Sequence, residues 1–275
     1  MITSLTGAGN TQQPVMPAML GYRMVEASFD KQQAAFRNSA PVKREIDYFK
    51  TAIAKVTSAD DLVKDYRLFR FVLSAYGLDS QIDAKAFMKK VLAQDPNDTD
   101  SLSNKLVDLR YQAIAKAFNF YNVGNANVKK ASFIDGLVDK YVTAEFEKST
   151  EQNNPGVRLA LYFKRMAPTV TSWYQIMGDK PLYEVVRTAL QIPPAGSQTG
   201  VESQAKVLEK RIGLANLKDP KFLESFINRF LANYDQTNAP ATLSVASLIQ
   251  PLSVSASSGV SLGASTILGL AALKR

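Results

Sequence analysis

The sequence predicts an all-α protein with two similar multi-helix units, and two observations lead to this prediction. First, a stretch of sequence recurs at a constant offset of 114 residues, so that residues 48–78 match residues 162–192 without a gap. Second, apolar residues within each stretch follow the period of an amphipathic helix. Self-similarity at a fixed offset is typical of a duplicated structural unit. We therefore expect an internal duplication whose two copies are joined by a long helix.

The two copies share residues that we expect either to be buried or to begin helices. The identical pairs are Tyr48/Tyr162, Phe49/Phe163, Lys50/Lys164, Val56/Val170, Thr57/Thr171, Ser58/Ser172, Asp65/Asp179, Leu68/Leu182, Val72/Val186 and Ala75/Ala189. The predicted core residues are Phe49, Leu68, Val72, Phe163, Leu182 and Val186. Farther along, the match continues more loosely, with residues 87–90 facing 207–210 and residues 106–111 facing 217–222.

The shared polar residues fit the starts of helices. Ser58 precedes one apolar-periodic segment, and Ser172 with Gln175 forms the Ser-x-x-Gln capping box at the matching place. Asp65 and Asp179 are typical N-cap residues for the helix that follows. A catalytic Ser or Asp is the alternative reading of these positions, and helix capping is the interpretation that we favour.

In chain order we expect five regions. They are a flexible arm plus an N-terminal helix at 1–43, a first helical repeat at 44–121, a connecting loop and long helix at 122–156, a second helical repeat at 157–236, and an uncharged flexible tail at 237–275. The N-terminal helix is predicted from Pro17 to about Arg37 and is expected to pack on the first repeat. A free-standing helix that docks on a partner is the alternative. The tail is expected to be dispensable for folding and to matter for assembly.

Two loops and one tryptophan are candidate sites. The loop at 94–101 alternates oxygen-bearing side chains, but Asp100 and Leu106 stand where the EF-hand calcium pattern requires Gly and Glu, which favours a polar turn. The loop at 193–200 lacks the glycine spacing of a phosphate-binding loop. Trp173 is the only tryptophan, and we interpret it as a packing residue rather than a binding platform. The sequence therefore nominates no catalytic, cofactor-binding or metal-binding residue.

The amino-acid composition excludes several classes of function. The 275 residues contain neither Cys nor His, which excludes disulfides, thiol and imidazole catalysis and most zinc, iron and copper sites. The formal net charge of +8 permits binding to nucleic acid, but Lys and Arg cluster no more densely than pairs such as Lys89-Lys90, Lys129-Lys130 and Lys164-Arg165. No stretch is long and apolar enough to predict a membrane span, and the first residues lack the features of a signal peptide.

Two segments together carry a resemblance to a known family. FRFVLSAYGLDSQIDAKAFMKKVLAQDPNDTDSLSNKLVDLRYQAIAKAF at 69–118 and YFKRMAPTVTSWYQIMGDKPLYEVVRTAL at 162–190 resemble the domain of unknown function family 1217. The resemblance covers about residues 20–236. Members are bacterial, mostly alphaproteobacterial, and are often encoded beside flagellar basal-body genes. The family supplies no catalytic or ligand-binding residues to carry over.

From this resemblance we expect a non-enzymatic structural or assembly protein of the bacterial flagellum, in the region of the rod, hook and basal body. Its expected partners are basal-body or axial proteins, and self-association stays open. The protein is expected either in the cytoplasm or exported to the flagellum without a cleaved signal peptide. The alternative is a basic, nucleic-acid-binding helical protein. An enzyme that uses a carboxylate or lysine is a third hypothesis, for which no residue spacing speaks.

Overall fold

Helices and short turns make up the whole of the described structure. The computed structural model describes residues 16–193 and 200–238, and no β-strand occurs in these two ranges. The all-α prediction is therefore confirmed. The predicted arm at 1–15, the centre of the loop at 193–200 and the tail from 239 onward lie outside the described residues.

The first group of helices runs from the N-terminus to the middle of the chain. Its members are α1 Ala18–Glu26, α2 Phe29–Arg37, α3 Ala40–Ile53, α4 Ala59–Lys64, α5 Tyr66–Ala75, α6 Lys85–Ala93, α7 Leu102–Lys105, α8 Leu109–Phe118 and α9 Phe120–Val123. The second group contains α10 Ala131–Thr150, α11 Pro155–Met166, α12 Trp173–Gly178, α13 Lys180–Ala189, α14 Val201–Arg211 and α15 Pro220–Asn238. Short 3₁₀ turns occupy Asp79–Gln81, Ala167–Thr169 and Leu214–Lys218.

The predicted serine caps are present at matching helix starts. The Ser58 side chain accepts a hydrogen bond from the backbone N–H of Asp61 at 3.2 Å, which begins α4. The Ser172 side chain accepts from the Gln175 N–H at 3.4 Å, and the Gln175 side chain closes the capping box of α12. Because each bond satisfies a backbone donor that the helix itself leaves unpaired, the capping interpretation is confirmed.

The predicted aspartate caps begin the next helix in each copy. Asp65 Oδ1 accepts from the Leu68 N–H at 3.0 Å at the start of α5, and Asp179 Oδ1 accepts from the Leu182 N–H at 3.2 Å at the start of α13. Pro181 lies in the first turn of α13, where its missing N–H removes no helical hydrogen bond. Asp65 and Asp179 are thus placed at equivalent backbone positions.

The same two helices also end alike. After α5 the chain turns through Gly77 at φ 69°, and after α13 it turns through Gln191 at φ 51°. The next residue in each case, Leu78 or Ile192, donates its N–H back into the last helical turn at 2.8 Å. This is the hydrogen-bonding pattern of a Schellman C-cap. The duplication itself stays a prediction, but helix starts and ends agree at the expected offset.

Two apolar cores form on either side of α10. The first collects buried residues of α3 to α9, and the second collects those of α1 and α11 to α15. Leu137 and Tyr141 of α10 belong to the first core, whereas Phe146 near its other end belongs to the second. The long helix therefore contributes to both cores. All six predicted core residues are buried, and Trp173 is buried among apolar neighbours of the second core.

The N-terminal segment departs from the prediction in two ways. It forms two helices rather than one, because the chain turns at Ala27 and Ser28. The first of them, α1, packs against α11 and α15 of the second half, so the expected packing on the first repeat is wrong for α1, whereas α2 contacts α3 of the first half and α10. The turn lets Tyr22 enter the second core while Phe29 contacts the Phe146 ring edge-on at 5.4 Å.

Candidate functional site

The main concentration of buried charge lies at the junction between the two cores. Arg110, in the first turn of α8, binds Asp108 through Nε at 3.0 Å and through Nη2 at 2.7 Å. Its Nη1 donates to the Gly77 carbonyl at 2.8 Å, beyond the end of α5. The same Nη1 lies 3.4 Å from the Tyr162 hydroxyl of α11. One guanidinium thus contacts both halves of the molecule.

Asp179 completes this contact on the side of the second half. Its Oδ2 accepts a hydrogen bond from the Tyr162 hydroxyl at 2.6 Å and lies 3.6 Å from Arg110 Nε. Because Asp179 Oδ1 caps α13, a single carboxylate holds the helix start, the tyrosine and the arginine. Its side chain is only 5% exposed.

Helix α10 adds two further ion pairs to the junction. Arg165 binds Glu147 with two parallel bonds, from Nε to Oε1 at 2.7 Å and from Nη2 to Oε2 at 2.8 Å. Lys148 donates to Asp79 Oδ1 at 2.6 Å and to Ser74 Oγ at 3.1 Å, which ties α10 to the first half. Glu147 and Lys148, which are adjacent on α10, therefore bind side chains from opposite halves of the molecule. We call Ser74, Asp79, Asp108, Arg110, Glu147, Lys148, Tyr162, Arg165 and Asp179 the junction cluster.

The electrostatics of the junction cluster favour fixed charges over proton transfer. Burial by itself lowers the pKa of Arg110, but the bonds to Asp108 and the charge of Asp179 outweigh burial and raise it. Burial raises the pKa of the Tyr162 hydroxyl well above its usual value. Burial also opposes ionisation of Asp79, yet Lys148 and Ser74 hold its pKa below the usual value. These groups keep their charge states at neutral pH.

The cavity beside the junction cluster is small, and the charged side chains that line it are paired. It holds about 50 Å³, little more than one water molecule occupies in the liquid. Each charged side chain that lines it already has an oppositely charged partner. No buried side-chain nitrogen or oxygen of the described residues lacks a hydrogen-bond partner. The paired charges of the junction cluster therefore hold the two groups of helices together, and we call this arrangement the clamp.

The acidic loop at 94–101 is a polar turn, as the sequence favoured. In the acidic loop, Asp95 Oδ1 accepts from the Asn97 N–H at 2.9 Å, and Asp98 Oδ1 accepts from the Asp100 N–H at 2.9 Å, which makes the loop a polar turn. Within 16–193 and 200–238, no group of acidic residues is arranged to hold a metal ion. Among the Ser and Asp positions that sequence alone left open as catalytic residues, only Asp179 belongs to the junction cluster.

A second candidate is an apolar surface on α1. Leu20 and Met24 lie one turn apart on α1, and Met16 lies just before the helix; their exposed fractions are 51%, 53% and 37%. The other side of α1 is buried, and it carries Ala18, Gly21, Tyr22 and Val25. We call Met16, Leu20 and Met24 the α1 surface. Apolar side chains that are exposed side by side make this surface a candidate for a protein contact.

The helix that carries the α1 surface is held firmly at its N-terminus. The Asp235 carboxylate accepts from the Ala18 N–H at 2.6 Å and from the Met19 N–H at 3.0 Å. At Gly21 a Cβ atom would lie 2.9 Å from Val157, so the absence of a side chain allows α1 to approach α11 closely. The α1 surface is therefore presented on an anchored helix.

Comparison with known proteins identifies the family. The family model described as Protein of unknown function (DUF1217) matches residues 75–223, more than half of the chain. The chain belongs to this family. The resemblance expected from sequence is thus confirmed, although the matched stretch is shorter than the expected 20–236. No curated protein matches the sequence significantly.

A crystal structure from the same comparison shows a similar fold. It is that of protein AGR_C_984 from Agrobacterium tumefaciens, which is 31% identical in sequence and superposes with a TM-score of 0.72. The similarity covers 82% of this chain and 98% of that one. The DUF1217 segment of our chain contains most of the junction cluster, from Asp79 to Asp179, whereas α1 precedes it.

The remaining surface features relate to membranes and nucleic acids. No helix in the described part of the chain is long and apolar enough to cross a bilayer. In the basic pairs noted from sequence, Lys89 binds Asp60 at 2.6 Å, Lys164 binds Glu26, and Arg165 binds Glu147. Because carboxylates neutralise these cations, the three do not add up to a basic stripe.

Proposed function

We propose that this DUF1217 protein is a non-enzymatic assembly protein of the bacterial flagellum that acts by binding other proteins. The observation that carries the proposal is the α1 surface, because it is apolar, outward-facing and anchored. The flagellar part is supported by family membership, since members are often encoded beside flagellar basal-body genes. Proteins of the rod, hook and basal body are the expected partners.

The clamp at the junction supports the same function. A protein that organises others needs its binding surfaces at fixed relative positions, and buried ion pairs with good geometry give a defined arrangement. Two parallel bonds between Arg165 and Glu147 fix the relative orientation of the two side chains more closely than a single contact does. The junction cluster thereby fits a scaffold rather than an active site.

A motility experiment tests the proposal. A deletion strain is complemented with the wild-type gene, with Leu20→Asp, or with Val207→Asp as a control on an exposed apolar residue of α14. We expect swimming to be lost in the deletion strain, restored by the wild type and the control, and reduced by Leu20→Asp. Normal swimming of the deletion strain would overturn the flagellar function.

Nucleic-acid binding is tested separately, by retention of the purified protein on duplex DNA. A steep loss of retention between low and moderate salt indicates phosphate contacts. We expect little retention at any salt concentration, because Lys89, Lys164 and Arg165 are each paired with a carboxylate.

A further inference from the structure

Helix α1 is apolar on nearly all sides, which is unusual for a helix at the protein surface. Its sequence AMLGYRMVE contains two charged residues, Arg23 and Glu26. Glu26 is paired with Lys164 of α11, on the side that faces the protein. A helix that is apolar all round is typically covered on both sides. The described residues cover only one side of α1.

The outward side of α1 has the form of a helix-packing ridge. Leu20 and Met24 are spaced by four residues on α1, while Met16 lies two residues before the helix begins; side chains four residues apart interdigitate with the equivalent rows of another helix. Methionine side chains are flexible and polarizable, and they adapt to apolar partners of different shape. The ridge is therefore suited to accept a single helix.

One cation borders this ridge. Arg23 is exposed, lies one turn from Leu20, and forms no ion pair with any described residue. By contrast, Glu26 on the same helix and Arg37 on α2 are both paired, with Lys164 and with Asp139. A partner that brings a carboxylate beside Arg23 gains an ion pair at the rim of an apolar contact.

A second copy of this chain fits the ridge less well. Three partly exposed side chains offer on the order of 300 Å², whereas a stable dimer buries roughly 800 Å² on each partner. A two-fold arrangement of two α1 ridges also brings a second Arg23 to the same contact, and like charges there are unfavourable.

We infer that the α1 surface binds an amphipathic helix of another protein, whose apolar stripe covers Leu20 and Met24 and whose flanking Asp or Glu pairs with Arg23. This inference rests on the proposed function and names the chemistry of the partner. It assigns separate roles within the contact: the ridge supplies apolar burial, and Arg23 selects a partner of acidic character.

The test uses two synthetic helical peptides of about 18 residues, a length at which an isolated helix becomes appreciably stable. Both carry Leu at i, i+3, i+4 and i+7, and they differ only in flanking residues, which are Glu in one and Lys in the other. Binding of labelled peptide to the full-length protein is followed by fluorescence anisotropy.

We expect the acidic peptide to bind about fivefold more tightly than the basic one. Arg23→Glu should invert this preference, whereas Lys206→Glu, the same charge change at an exposed position of α14, should leave it unchanged. Leu20→Asp should weaken both peptides at least about tenfold. Asp is compatible with folding there, because Leu20 lies in the first turn of α1, where a negative charge is favourable.

Each other result overturns the inference. Equal binding of both peptides removes the role of Arg23, and binding of neither removes the helix. Sedimentation equilibrium identifies a second copy as the occupant if the wild type dimerises and Leu20→Asp does not. If Leu20→Asp lowers the unfolding midpoint of a monomer, a segment of the chain itself covers the ridge. A failure here with a non-motile deletion strain leaves the flagellar function intact, whereas a motile deletion strain overturns that function independently of the peptides.

Discussion

The two copies of the repeated stretch contain the same small motif in two different surroundings. In the first half the Tyr48 hydroxyl donates to Asp65 Oδ2 at 2.8 Å, and in the second half the Tyr162 hydroxyl donates to Asp179 Oδ2 at 2.6 Å. Each aspartate also caps the helix that follows it. The local sequence is therefore sufficient to build the motif twice.

The cation beside the motif has a different origin in each half. In the first half, Arg67 of the same helix lies 4.1 Å from the Tyr48 ring centroid and binds Glu45 with two nitrogens. At the matching position the second half has Pro181, which carries no charge. Arg165 of α11 lies 5.2 Å from the Tyr162 ring centroid, and Arg110 approaches the motif from α8 of the other half.

This difference shows how a local motif becomes a contact between units. Arg67 is 45% exposed, so water and salt screen its interactions, whereas the Arg110 side chain is 17% exposed and contacts a buried carboxylate. Removing a partner from a buried ion pair costs much more than removing one from the surface. The same chemistry thus stabilises one half locally and joins the two halves elsewhere.

The largest expected difference between the two motifs comes from removing each arginine in turn. Arg110→Ala leaves Asp108 and Asp179 without their buried cation, and we expect a loss of about 3–5 kcal/mol in the free energy of unfolding. Arg67→Ala, the matched control, should cost about 0–1 kcal/mol. Urea denaturation followed by circular dichroism measures both. Equal losses would mean that burial of Arg110 contributes nothing beyond a surface contact.

Removal of the two tyrosine hydroxyls gives a smaller effect of the same kind. Tyr162→Phe deletes a donor to a charged, buried carboxylate, and we expect it to cost about 1.5–3 kcal/mol. Tyr48→Phe deletes the equivalent bond at a more exposed aspartate and should cost about 0.5–1 kcal/mol. The same denaturation experiment applies, with the unfolding slope checked for constancy. The comparison fails if Tyr48→Phe is the more destabilising change.

The helix caps of the motif were predictable from sequence, whereas the tyrosine–aspartate bond and the surroundings were not. Ser172, Gln175 and Asp179 reveal their roles through spacing of three residues, because a helix cap depends on its immediate neighbours. Arg110 contacts Gly77 and Asp179, which lie far from it in the chain, and nothing in the residues around it distinguishes it from a surface arginine. The one available signal was the replacement of Arg67 by Pro181 between the copies.

The candidate surface on α1 was predictable only in part. A helix that docks on a partner was the alternative reading of the N-terminal segment, but the division into α1 and α2 was missed. That division depends on where Tyr22 and Phe29 find apolar space, since one enters the second core and the other reaches Phe146. Packing partners of this kind become known only with the tertiary structure.

The smallest expected effect comes from making the first motif like the second at one position. Arg67 occupies the second residue of α5, and its backbone N–H is one of those that a helix leaves unpaired, so Arg67→Pro should keep the helix start intact. The substitution removes the Glu45 ion pair and the contact with the Tyr48 ring, which together cost about 1 kcal/mol at an exposed site. Proline also restricts the unfolded chain, which offsets about 0.4–1 kcal/mol.

The net change for Arg67→Pro should therefore lie within about 1 kcal/mol of zero. Its control is Arg70→Pro farther along α5, which should cost about 3 kcal/mol or more because proline there interrupts the helix. Thermal and urea unfolding of the two variants give the comparison directly. A large loss for Arg67→Pro would show that the first motif depends on its arginine as strongly as the second does, and that the contrast between a local and a joining cation is wrong.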